Sequence, residues 1–200
     1  MGSAVAGFMI RAALMVPGDA AETARLVAEA PGLFRLSLLS DLVTCITDIV
    51  LIVAIYVVLR PVNRNLAQVA AFWRLMETAV LVVAMLNGFA ILRVLSGADF
   101  LDAFEMDALA AMSRLSLLAY GDAYKVAFVF LGLGSTLFSY LWLKARYIPR
   151  ALAILGIVSS LLLAACNLAF IASPALVQVI GPAYMAPMGV FEIGMGFWLL

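Results

Sequence analysis

Nine ionisable side chains stand within or at the edges of long apolar stretches of this 200-residue chain: Arg11, Asp41, Asp48, Arg74, Glu77, Arg93, Asp122, Lys125 and Glu192. A charge in hydrocarbon is costly unless it is paired, hydrated or neutralised. The chemistry open to such groups is ion pairing, proton exchange, or binding of a small cation or polar solute. Ser37, Asp41, Thr44 and Asp48 recur at spacings of four, three and four residues, which puts them on one helix face. Leu, Val and Ile fill the opposite face. Arg74 and Glu77 are spaced i,i+3 and can pair within one helix, and Asp122 and Lys125 repeat that spacing. Glu192 brings a further carboxylate, and Asn87 and Asn167 add hydrogen-bonding capacity. The candidate ligand-binding set is therefore Asp41, Asp48, Arg74, Glu77, Asp122, Lys125 and Glu192, five acids against two bases. If these groups share one cavity, the surplus carboxylates must be protonated, hydrated or matched to a cation.

Other chemistries lack their residues. The chain has no His, the usual donor for zinc sites, imidazole acid–base catalysis and haem ligation. Cys45 and Cys166 each lie inside an expected span and read as packing residues, so no metal or cofactor is expected. Carboxylate pairs can do acid–base work, yet no nucleophile–base constellation is visible, and nothing in the sequence asks for an enzyme. The formal net charge of +0 gives no reason to expect a nucleic-acid partner. Gly132 and Gly134, Gly156 with Ser160, and Gly194 with Gly196 read as sites of close helix packing rather than phosphate loops, because no strand precedes them.

The elements that must position these residues are membrane helices. The chain is 66% hydrophobic and 12% charged, with a mean hydropathy of +1.15, outside the range of ordinary soluble domains. A span needs about 20 apolar residues. Leu36 to Leu59, Leu66 to Leu95, Leu117 to Leu143 and Ala151 to Ser173 meet that length. Shorter apolar segments, Ala4 to Val16 and Met185 to Leu200, flank them. The expectation is an all-α membrane-spanning bundle of about six helices, a single domain over residues 1–200, with the outer two helices incomplete in this chain. The short loops Arg60 to Asn65 and Lys144 to Arg150 hold five Lys or Arg. By the positive-inside rule they face the cytoplasm, and both termini follow them. No cleavable signal is evident, since Arg11 interrupts the first apolar stretch. Ala20 to Ala30 and Phe100 to Leu118 mix charge with apolar residues as short interfacial helices do. Pro17-Gly18-Asp19 and Gly181-Pro182 are turn signals, and Asp99, Asp102, Glu105 and Asp107 fall in an expected outer loop. Tyr140, Trp142, Tyr147 and Trp198 stand where an aromatic belt is expected.

The order of these features carries a resemblance. Leu39-Ser40-Asp41-Leu42 is followed by Arg60-Pro61-Val62-Asn63, Arg74-Leu75-Met76-Glu77, Phe130-Leu131-Gly132-Leu133 and Tyr147-Ile148-Pro149-Arg150, with Glu192 and Trp198-Leu199-Leu200 at the end. The whole resembles a bacterial membrane family known as domain of unknown function 4386. Ala145 and Ala153 depart from it, standing where Ser and Gly would be expected. The resemblance implies a polytopic inner-membrane protein and supplies no substrate and no catalytic residue.

Two functions from different classes follow. The first is a multi-pass protein whose polar, carboxylate-rich cleft binds or moves a small cation, proton or polar solute, with the lipid bilayer as its other partner. In the alternative, a non-catalytic membrane scaffold or partner subunit, the buried charges only specify helix packing, and Arg11 and Arg93 snorkel to an interface. Oligomeric state is open on either reading.

Overall fold

The computed structural model describes residues 7–199 apart from 8, 12, 17–18 and 97–103. Pro17, Gly18, Asp99 and Asp102 lie outside the described residues. Among the described residues every regular element is a helix. Residues 7, 9–11 and 13–14, which are helical, are followed by α1 (Ala20–Glu29), α2 (Pro31–Leu59), α3 (Arg64–Val94), α4 (Met106–Ala145), α5 (Arg150–Ala172) and α6 (Leu176–Ile180). A 3-10 turn at Pro182–Met185 then leads into α7 (Ala186–Leu199).

Local chemistry sets the boundaries. Asp19 caps α1, its carboxylate accepting from the Glu22 amide at 2.9 Å. Arg25 pairs with Glu22 and Glu29 on the exposed face of α1 and holds the Glu22 carboxyl below its ordinary range. Pro31 opens α2, where its missing N–H costs nothing. Pro61 interrupts the chain after Leu59, and the Asn63 side chain then accepts from the Leu66 amide at 3.0 Å to start α3. Arg146, with φ of 57°, ends α4 in the left-handed region, and Pro149 precedes α5.

One expected boundary is absent. Phe100 to Leu118 was to hold a separate interfacial helix, but α4 runs unbroken for 40 residues from Met106. No proline lies between Met106 and Ala145, and the Ala- and Leu-rich stretch before Leu117 favours continuing the helix.

Four helices are long and apolar enough to cross a membrane: α2, α3, most of α4, and α5. Only 17% of the most apolar window of α2 is buried within the chain. A surface that apolar calls for a nonaqueous solvent.

The residues group into two compact units, Met1–Thr47 with Leu81–Tyr124, and Asp48–Val80 with Lys125–Leu200. In the first, Leu14, Val27, Phe34, Leu38, Ala84, Met85, Ile91 and Tyr120 form the core. The second has two cores, one built on Leu59, Ala70, Phe138, Leu141 and Trp142, the other on Leu131, Leu163, Met188 and Phe191. Trp142 thus packs inside rather than joining an aromatic belt, while Tyr140, Tyr147 and Trp198 stay exposed. Glycine lets α4 and α5 approach closely: a Cβ on Gly132 would come within 2.5 Å of the Ser160 carbonyl oxygen and 2.8 Å of Ala164. No disulfide joins Cys45 and Cys166.

Candidate functional site

In the second unit the polar residues gather around Arg74. Its side chain and that of Glu77, one helical turn on, are 11% and 4% exposed. Arg74 Nη1 lies 2.9 Å from Glu77 Oε2 without forming a regular hydrogen bond to it. The contact is thus an ion pair in which both atoms keep unmet hydrogen-bonding capacity. On its other side Arg74 Nη2 is 3.9 Å from Asp48 Oδ2 on α2, a looser pair. Glu192 on α7, itself exposed, lies within electrostatic range of Arg74, Asp48 and Glu77. Two carboxylates, from α2 and α3, thus pair with one guanidinium, and a third, from α7, lies within its electrostatic reach.

The stem of Arg74 is seated by Gly134 on α4. A Cβ there would lie 2.7 Å from Arg74 Cγ and 3.1 Å from the Ala70 carbonyl oxygen. The missing side chain is therefore the space that the arginine occupies. Among the described residues no group of three His, Cys, Asp or Glu could hold a metal ion.

In the first unit Asp41 is the centre of a different arrangement. Arg11 Nη1 lies 2.5 Å from both of its carboxylate oxygens. The Tyr124 hydroxyl donates to Asp41 Oδ2 at 2.8 Å, and the Tyr120 hydroxyl approaches the same oxygen at 3.5 Å. The Arg11 guanidinium also sits over the Tyr124 ring, 5.2 Å from its centroid, a cation–π contact. Every charge here has a close partner. Charge-assisted bonds of this kind are about twice as strong as neutral ones.

These placements correct parts of the sequence reading. Arg11 does not snorkel to an interface; its guanidinium is drawn inward because Asp41 and two tyrosines offer it anion and ring together. Asp41 accordingly belongs with Arg11, Tyr120 and Tyr124, whereas Asp48, Arg74, Glu77 and Glu192 gather in the second unit. Asp122 is exposed and Lys125 half-buried on α4. The polar stripe on α2 does turn inward, with Ser37 and Asp41 buried and Thr44 and Asp48 half-buried. Tyr120 and Tyr124 were missed. Their i,i+4 spacing was the available signal, but aromatic pairs at that spacing are usual in any helix core.

Comparison with curated proteins and with solved structures gives no match. The family comparison does, over residues 2–200, nearly the whole chain. The chain belongs to the family described as Domain of unknown function (DUF4386).

Proposed function

We propose that this is a single integral membrane domain of about six spans, with both termini on the cytoplasmic side of a bacterial inner membrane. Its Arg74 cluster would bind or move a small cation, proton or polar solute. The observation that carries the reading is the imbalance of Asp48, Glu77 and Glu192 against Arg74. One guanidinium neutralises one carboxylate, so the others must be protonated, hydrated or matched to an incoming cation. Of these ligands the proton fits best. A metal cation would need several oxygens converging on it, and among the described residues no three acids are grouped closely enough to hold one. A proton needs a single carboxylate, and Glu77 and Asp48 each lie within ion-pair distance of the same guanidinium. The short loops holding Arg60, Arg64, Lys144, Arg146 and Arg150 support the orientation.

The test is proton flux into liposomes carrying the purified protein and an internal pH-sensitive dye. Under an imposed gradient the wild type acidifies the lumen, and Asp48→Asn/Glu77→Gln, still folded by circular dichroism, does not. Equal flux from both proteins sinks the reading.

A specific observation favours the alternative for the other cluster. Arg11, Asp41 and Tyr124 satisfy one another and leave no charge in surplus, as a scaffold or partner subunit specified by buried charges would require.

A further inference from the structure

Two arginines outside both clusters share a groove. Arg35 lies in the second turn of α2 and Arg93 in the last turn of α3, and with Phe89, Leu92 and Ser96 they line a depression of about 300 Å³ in the first unit. Both are exposed, and no acidic side chain pairs with either among the described residues. The Ser96 hydroxyl donates to the Arg93 carbonyl at 2.7 Å and fixes the end of α3 there. Two like charges lining one groove repel each other, and an anion between them turns that repulsion into attraction.

The surfaces leading away from the groove indicate which anion. From Arg93, steps of four, three and four residues back along α3 reach Phe89, Leu86 and Val82, all exposed. From Arg35, the same steps forward along α2 reach Leu39, Leu42 and Ile46, also exposed. Each arginine therefore heads an uncovered apolar stripe on its own helix. A small soluble anion would have no use for those stripes. An amphiphile has, with its headgroup at the guanidinium pair and its acyl chains along the helices. The paired positive charges attract phosphate oxygens, and they favour a lipid with net negative charge over a zwitterionic one.

We propose that the groove at Arg35 and Arg93 is a binding site for the phosphate-bearing headgroup of an anionic phospholipid. The proposal rests on the membrane reading above but not on the Arg74 cluster, so loss or survival of proton flux leaves it untouched.

The experiment is native mass spectrometry of delipidated protein titrated separately with phosphatidylglycerol, phosphatidylcholine and inorganic phosphate. Wild type retains phosphatidylglycerol in preference to the other two. Each arginine near an anionic lipid contributes roughly a factor of five, so Arg35→Gln/Arg93→Gln binds about twenty-five-fold more weakly. Arg64→Gln, an exposed arginine in the first turn of α3, binds as wild type does. Arg35→Lys/Arg93→Lys, which keeps both charges, retains binding and guards against a folding defect. Unchanged binding in the double Gln variant overturns the proposal, as does an equal loss in Arg64→Gln or in the folded Lys pair. So does phosphatidylcholine or inorganic phosphate binding as tightly as phosphatidylglycerol.

Discussion

Removing the charge of Asp41 should harm this protein more than removing Asp41 and its partner together. In Asp41→Asn the Arg11 guanidinium loses the anion that lay 2.5 Å away, although the amide oxygen can still accept from the Tyr124 hydroxyl. Breaking a buried ion pair from one side costs about 3–5 kcal/mol. A guanidinium cannot shed its proton, so the Asn variant belongs at the upper end of that range. Arg11→Met belongs at the lower end, because an orphaned carboxylic acid can become neutral by taking up a proton. The double variant Arg11→Met/Asp41→Leu removes both charges and leaves the Tyr124 hydroxyl without its acceptor, at about 1–3 kcal/mol. Adding Tyr120→Phe and Tyr124→Phe, which removes both hydroxyls that approach Asp41, should bring the loss close to zero, since apolar replacement of a whole buried polar set is often neutral. The assay is reversible unfolding in mild detergent by titration with a denaturing detergent, followed by circular dichroism and Trp fluorescence. The reasoning is refuted if the double variant is no more stable than Asp41→Asn, or if Asp41→Asn lies within about 0.5 kcal/mol of wild type.

Three further outcomes check other parts of the structure. Val50, in the apolar second half of α2, is 68% exposed, and Val50→Arg should cost about 2.5–3.5 kcal/mol if that surface meets lipid. Carbonate-resistant membrane integration should fall accordingly; wild-type integration would count against a membrane-facing α2. Gly134→Leu must displace the Arg74 stem or the Ala70 carbonyl, so it should lower stability by about 1–3 kcal/mol in the same unfolding assay. Gly189→Ala, where nothing lies within 4 Å of the added Cβ, should be neutral or slightly stabilising.

Helix class and the positions of the long helices were legible in the sequence. Apolar runs bounded by Pro61 and by Pro149 leave a chain few alternatives once backbone groups must be satisfied internally. The expected spans and the observed α2, α3 and α5 differ at their ends by five residues or fewer. The start of α4 was less legible because charge marks an interface without stopping a helix, and residues 106–116 contain nothing that breaks one. At the Arg74 cluster, the i,i+3 spacing gave the Arg74–Glu77 pair directly. The approach of Asp48 and Glu192 depends on helices separated by long stretches of chain, and no local rule reports it.

The same division holds for the protein as a whole. Composition, hydropathy and proline placement alone determined that the chain is helical, apolar outward and polar along particular stripes, because each of those properties acts within one helix. Which acid meets which base was a matter for the tertiary structure. Asp41 and Asp48 stand two turns apart on one face of α2, yet Arg11 and Tyr124 close around the first while the second shares Arg74 with Glu77 and Glu192. A charge in a low-dielectric interior is decided by the few ångströms around it, and those distances exist only once separate helices have packed.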